Sequence, residues 1–239
     1  MAVTVISLGG SIVAPDSVDV QFLKQFSELI RSVLEADAER AFIFVVGGGG
    51  PARAWQKAYR EICAGDSIHP LCDTEADWIG VMATRLNAQL VKAVMSAWCC
   101  QGVVTDPTSV EIMPLSEGGA GRVLVAAGWK PGFSSDYDAV LLAERFNANV
   151  VVNLSNIEKV YTADPKIDPE AHPLDHISWE DFRVMVGDEW VPGKNVPFDP
   201  VASRHAQKIG LKVICALGRD LANLKNILNN NEFTGTTIG

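Results

Sequence analysis

The sequence predicts an α/β fold in which a parallel sheet is covered by helices. Two observations carry this reading. Short β-branched runs alternate with longer amphipathic stretches, and the first two strands run straight into Gly-rich turns ahead of helices. The composition agrees: 239 residues, 48% of them apolar and 21% charged, suit one large globular domain or two small ones.

Residues 3–8 form a buried strand ending at Gly9-Gly10-Ser11. Between residues 18 and 36, Phe22, Phe26, Leu29, Ile30, Val33 and Leu34 recur at helical spacing with charges between them. A second strand, 41–46, ends in Gly47-Gly48-Gly49-Gly50-Pro51, and the proline suits the first turn of a helix. Residues 74–98 read as one long helix with Ile79, Met82, Ala83, Leu86, Leu90, Val94 and Trp98 along one face. Strands at 101–104 and 122–126 flank a loop, 106–121, rich in Pro and Gly. A helix at 136–147 and a strand at 149–154 follow. Residues 164–176 carry Pro165, Pro169 and Pro173 and form an ordered surface excursion. A short helix at 179–186, a helix at 199–209, a strand at 211–216, a helix at 221–228 and a strand at 236–238 complete the chain. A soft boundary near residues 153–165 separates two lobes on one continuous sheet.

Lys and Arg number 20 against 29 Asp and Glu, a formal net charge of −9. Such a surface repels polyanions, which disfavours nucleic-acid polymers and anionic membranes as partners. A small anion stays compatible, because a few backbone N–H groups and one or two Arg set a local field. The odd cysteine set Cys63, Cys72, Cys99, Cys100 and Cys215 lacks CxxC spacing and reads as reduced thiols filling apolar sites. No apolar run reaches the ~20 residues of a membrane span, and the N-terminus lacks a basic leader region. The expected location is the cytoplasm. His69, His172, His176 and His205 show no ligand spacing, so no protein-built metal site is expected. The absence of a G-x-S-x-G elbow disfavours a serine hydrolase, and the six Trp read as packing.

Three Gly turns follow predicted strands: Gly9-Gly10-Ser11, Gly47 to Gly50, and Gly132 within Pro131-Gly132-Phe133-Ser134-Ser135-Asp136. Parallel strands gather such turns at the carboxyl edge of the sheet, where α/β proteins bind ligands. Bare glycines let a phosphate approach the main chain, and helix N-termini offer free N–H groups. Together the turns point to a nucleotide or another phosphate ligand. Arg53, in the first turn of the helix after Gly50, suits a bidentate pair with a phosphate, or else is a solvated helix residue. Asp136 either caps its helix or holds a cation or lysine beside transferring phosphoryl groups.

These blocks together resemble the amino-acid kinase family, and within it the archaeal-type UMP kinases. The match runs nearly end to end: Leu8-Gly9-Gly10-Ser11; Val45-Val46-Gly47-Gly48-Gly49 with Ala52-Arg53; Thr84-Arg85-Leu86-Asn87-Ala88; Pro131-Gly132 with Ser134-Ser135-Asp136; Leu142-Ala143-Glu144; Val160-Tyr161-Thr162-Ala163-Asp164-Pro165; Asp199-Pro200; and Gly235-Thr236-Thr237-Ile238. The resemblance implies a single three-layer α/β/α sandwich domain of the carbamate kinase-like type. An N-terminal acceptor lobe would cover about 1–152 and a C-terminal ATP lobe about 153–239. It further implies a homohexamer and transfer of the ATP γ-phosphoryl to UMP with Mg2+. Gly9, Gly10 and Ser11 would line the phosphate path. Gly48, Gly49 and Arg53 would hold the UMP phosphate, and Gly132, Ser134, Ser135 and Asp136 would sit at the acceptor and transfer site. Asn156, Tyr161, Asp164 and Pro165 would surround ATP. Asp77, Gly80, Thr84, Arg85 and Asn87 would serve the acceptor pocket and subunit contacts.

The departures are specific. Many members carry Lys where this chain has Ser7, and His where it has Phe133. Their Asn-x-Asp-Gly becomes Asn156-Ile157-Glu158-Lys159, which removes a glycine's backbone freedom. Arg204 stands where relatives carry Lys. Developing charge on the phosphoryl group needs a cation besides Mg2+. Lys130 is the first candidate, with Lys159 and Lys194 behind it. Two other readings keep the fold: a phosphotransferase with a different small phosphate or carboxylate acceptor, and a nucleotide-binding sensor or storage protein with impaired transfer.

Overall fold

The computed structural model describes residues 2–65, 72–110, 121–189 and 196–239. In order these form β1 (Ala2–Leu8), α1 (Gly10–Val13), α2 (Val20–Ala36), β2 (Arg40–Val46), α3 (Gly49–Cys63) and α4 (Asp73–Val94). A 3-10 turn (Ser96–Trp98) leads to β3 (Val123–Ala126), α5 (Ser135–Arg145), β4 (Val150–Ser155), β5 (Val160–Tyr161), β6 (Pro173–Leu174) and β7 (His176–Ile177). The chain closes with α6 (Trp179–Val186), α7 (Pro200–Ile209), β8 (Lys212–Leu217), α8 (Leu221–Leu228) and β9 (Thr236–Ile238).

The main sheet has seven strands in the order β3-β2-β1-β4-β8-β9-β7. Its neighbours are parallel except β8 and β9. The central β1 pairs β2 on one side and β4 on the other, so successive crossovers leave in opposite directions. Such a switch point opens a crevice at the carboxyl ends of the strands.

Period-two alternation sorts the core into two layers. Ile6, Leu8, Phe42, Phe44 and Val46 face Phe22, Phe26 and Ile30 of α2, Val91 of α4 and Leu224 of α8. Val5, Ile43 and Val45 face Ala139 and Leu142 of α5, Phe182 of α6 and Ala202 of α7. The result is the expected α/β/α sandwich. Side-chain caps set the helix starts: Asp19 accepts from Phe22 N–H, Ser178 from Asp181 N–H, Asp199 from Ala202 N–H and Asp220 from Asn223 N–H.

Several expectations change. The segment 101–104 is no regular strand; it touches the sheet through isolated bridges, Cys99 with Val123 and Val104 with Ala126. The surface excursion at 164–176 is ordered as expected, its end pairing antiparallel as β6 with β5. The long helix ends at Val94, and its apolar stripe is only in part the core face, Leu90 packing against the core. Ala76, Val81, Ala88 and Val91 are buried, whereas Met82 (56% exposed) and Leu86 (72%) face outward. Trp55 and Trp78 are likewise exposed, so the tryptophans are not uniformly packing residues. All five cysteines are free, but only Cys215 is buried, its thiol pushed up to about 12 by burial. Cys72 and Cys100 are exposed. Residues 111–120 of the expected loop, His69, Trp190 and Lys194 lie outside the described residues.

Candidate active site

A cavity of about 340 Å3 opens at the carboxyl edge of the sheet. The turn between β2 and α3 brings Gly48, Gly49 and Arg53 to it, α4 brings Asp77, and the loop into α5 brings Gly132, Ser134 and Ser135. Of the residues expected around the acceptor, Gly48, Gly49, Arg53, Asp77, Gly80, Thr84, Gly132, Ser134 and Ser135 line one space together with Lys130, whereas Arg85, Asn87 and Asp136 do not line it. Arg53 stands on the second turn of α3, one turn later than expected, and its guanidinium donates to Pro15 C=O at 2.9 Å. That bond uses one of five N–H donors.

The first two Gly turns meet each other before they meet any ligand. A Cβ on Gly10 would lie 2.0 Å from Gly49 N, and one on Gly47 2.5 Å from Gly10 N. Gly49 has φ +65°, and a Cβ there would lie 2.3 Å from the carbonyls of Ala14 and Gly10. At these positions glycine is required by contact between two main chains, a cause different from the phosphate approach inferred from sequence. Asn87, buried on α4, ties the second turn down by donating to Gly47 C=O (2.9 Å) and Gly48 C=O (3.1 Å). The third turn works differently. Gly132 has φ +82° with open space around it, and Phe133 N–H donates back to Lys130 C=O. Pro131-Gly132 thus occupies the centre of a turn that demands positive φ at its third residue.

The loop before α5 is held from two helices. Thr84 Oγ1 accepts from Gly128 N–H (2.8 Å), and Arg85 donates to Trp129 C=O (2.9 Å). Asp138 on α5 accepts from Trp129 N–H (3.1 Å), and Asp77 accepts from Gly132 N–H (3.3 Å). Ser134 rather than Asp136 caps α5, accepting from Tyr137 N–H. Asp136 instead stands in the first helical turn. It accepts from Ser7 Oγ at 3.3 Å and from Asp199 N–H at 3.2 Å. Burial, and then the Asp199 carboxylate, push the Asp136 carboxyl up to about 7. Burial also raises Asp138 to about 7, and its Oδ1 has no hydrogen-bond partner among the described residues.

Gly9, Gly10 and Ser11 form the turn beneath Gly48 and Gly49 and start α1, but they do not line the cavity. Asn156, Tyr161, Asp164 and Pro165 do not line it either. Tyr161 is half-buried on β5, opposite Pro173. Asn156, Asp164 and Pro165 are exposed, and Asp164 caps its own turn by accepting from Lys166 N–H. Lys130 is exposed, its ammonium 3.9 Å from the Trp129 ring centre and 5.1 Å from that of Phe133.

A model of the amino acid kinase family matches residues 2–216. The chain belongs to that family. The chain is 32% identical to a uridylate kinase of Methanospirillum hungatei, over all of this chain and 95% of that protein. A uridylate kinase of Methanocorpusculum labreanum is 31% identical over 100% of this chain and 96% of that one. The crystal structure of uridylate kinase from Archaeoglobus fulgidus superposes with a TM-score of 0.78 at 32% identity, covering both chains completely. The UMP kinase structure from Bacillus anthracis shares the fold, with a TM-score of 0.72 at 20% identity over 99% and 95% of the two chains.

In this member of the family the departures have visible consequences. Ser7 shares with Val5 the sheet face toward α5, so its hydroxyl reaches Asp136 from the position where lysine was expected. Lys159 replaces an expected glycine without backbone strain, because among the described residues the positive-φ non-glycine residues are Asn147 and Asn230. Its ammonium pairs with Asp175, whose carboxyl is lowered first by that bond. Phe133 continues a row of rings, 4.8 Å from Trp129 and 5.4 Å from Tyr137. Sequence reading assigned no role to Gln56, Tyr137 and Val201, which line the cavity, or to Asp138 behind its loop. Tyr137 and Asp138 directly follow the Ser-Ser-Asp block, and that adjacency was the available signal.

Proposed function

We propose that the chain transfers the γ-phosphoryl group of ATP to the phosphate of UMP, giving UDP and ADP. The observation that carries this is the cavity itself: Arg53, the start of α3, the start of α5 and the polar residues of α4 face one space of nucleotide scale at a sheet switch point. The family membership and the uridylate kinases similar over the whole chain support the same reading.

The division of labour follows from chemistry. Phosphoryl transfer is governed by positioning and charge neutralisation. Arg53 and the N–H groups opening α3 and α5 hold the acceptor phosphate. Asp77, Thr84 and Arg85 fix the loop that presents Gly132, Ser134 and Ser135. Lys130 supplies mobile positive charge at the rim, and Gly9, Gly10 and Ser11 form the floor toward the donor. Asn156, Tyr161, Asp164 and Pro165 accept the ATP nucleoside within a C-terminal lobe of about 153–239, the acceptor lobe covering about 1–152.

The described residues contain no group of three or more His, Cys, Asp or Glu placed to hold a metal ion. The residues fit a Mg2+ ion carried in by the nucleotide, which needs only one or two protein carboxylates. Asp136 and Asp199 are adjacent, and the Asp199 carboxylate raises the cost of charge on Asp136, a cost that a cation relieves. Mg2+ held there would neutralise charge on the phosphate oxygens.

A homo-oligomer, with the hexamer as its form, fits the outward face of α3 and α4. Trp55 (68% exposed) and Ile62 (78%) on α3 accompany Trp78, Met82 and Leu86 on α4, an apolar display that marks association. No helix among the described residues is long and apolar enough to cross a membrane, which suits work on cytoplasmic nucleotides. The test is ADP production from ATP-Mg with UMP, CMP, dUMP, GMP and AMP offered separately. Turnover with UMP well above the others is expected. No turnover with UMP, from folded protein that binds ATP, overturns the reading.

A further inference from the structure

A second cavity, of about 490 Å3, lies beside the first and shares Tyr137 and Val201 with it as a common wall. Its other walls carry Arg183 of α6 and Arg204, His205 and Lys208 of α7. In a chain of net charge −9 the concentration of Arg183, Arg204 and Lys208 around one cavity stands apart from the average surface.

Two of the four basic groups are already matched. Arg183 is 2.7 Å from Asp188 and also donates to Gln207, while His205 Nε2 lies 2.7 Å from a Glu144 oxygen. Arg204 and Lys208 are exposed and make no ion pair or hydrogen bond among the described residues. They stand four residues apart on one helix, where like charges repel mildly. Nothing in the fold requires both, and a bound anion resolves the repulsion. The size suits a small ligand carrying several phosphate groups.

We infer that Arg204 and Lys208, backed by Arg183, form a second binding site for a small polyphosphate anion, separate from the acceptor cavity and divided from it by Tyr137 and Val201. An occupant there touches the same two side chains that border the acceptor space. The row Trp129, Phe133, Tyr137, His205 runs from the acceptor rim to this site, with His205 edge-on to Tyr137 at 5.7 Å. The inference concerns binding and stands independently of the reaction proposed above.

The test is calorimetric titration with sodium pyrophosphate, and in a parallel arm with UTP, which separates a simple polyphosphate site from one that also takes a nucleoside. Four proteins are compared: wild type, R53Q, R204Q/K208Q, and K24Q/R31Q, which removes two exposed cations from α2 on the opposite face of the sheet. The expected result is a binding component retained in R53Q and K24Q/R31Q and weakened about tenfold or more in R204Q/K208Q. The altered residues are exposed, so circular dichroism and Tm should match wild type. If R204Q/K208Q titrates like wild type, or K24Q/R31Q loses as much affinity, the site does not exist.

Discussion

Replacing Gly10 by Ala tests whether the two Gly turns are glycine-rich because they pack on each other. The new Cβ would sit 2.0 Å from Gly49 N and 2.7 Å from both Gly48 N and Gly48 C. The first approach is about 1 Å inside the closest contact a real Cβ makes, and all three neighbours are main chain. No side chain can swing away, so the turns after β1 and β2 must part. Overpacking of this kind costs about 1–3 kcal/mol, which lowers Tm by about 2–4 °C per kcal/mol in a chain of this size. The displacement falls on Gly48 and Gly49, which line the acceptor cavity. A misplacement of about 1 Å can cost ~100-fold in rate. Gly10→Ala should therefore melt several degrees lower and lose at least tenfold in kcat/KM for UMP. Differential scanning calorimetry and coupled ADP release measure both. A variant that melts within 1 °C of wild type and keeps kcat/KM within twofold would refute the packing argument.

Lys130→Met removes the rim cation while leaving an apolar side chain against Trp129 and Phe133; kcat should fall about 100-fold if this ammonium meets developing charge, and a change of only a few-fold excludes it. The raised carboxyl of Asp138 gives a signed pH effect. Its folded form keeps the proton between its ordinary value of 3.8 and about 7, so this group's contribution to stability falls as pH rises through that window and stays lost above it. Asp138→Asn cannot ionise, so its Tm relative to wild type should be higher at about pH 8 than at about pH 5; an equal difference at both contradicts the assigned burial cost. Leu86→Glu places a charge on the exposed apolar face of α4 and should reduce the mass seen by light scattering, whereas an unchanged oligomer would place the interface elsewhere.

Sequence pattern alone located the strands that build the sheet centre and placed α6, α8 and β9 at their observed bounds. It worked there because one face of each element is buried and its period survives in the residue order. It failed in part on α4, where Met82, Leu86 and Val94 of the stripe read as core but are exposed, while Leu90 packs against the core. Periodicity reports an amphipathic helix without saying which face meets this chain's own sheet. The strand expected at 101–104 failed for a related reason: pairing needs a partner in register, and this edge offers only isolated bridges.

The candidate site divides along the same line. Residue order determined that Gly turns follow strands, that Arg53 and Asp136 lie just beyond them, and that Ser7 replaces an expected lysine. Tertiary structure alone decided that Gly10 packs on Gly49, that Ser7 faces Asp136 across 129 positions, and that Tyr137 separates two cavities. Local propensity and burial period are written along the chain. Contacts between distant turns depend on how the crossovers leave the sheet, and that geometry exists only once the strands have paired.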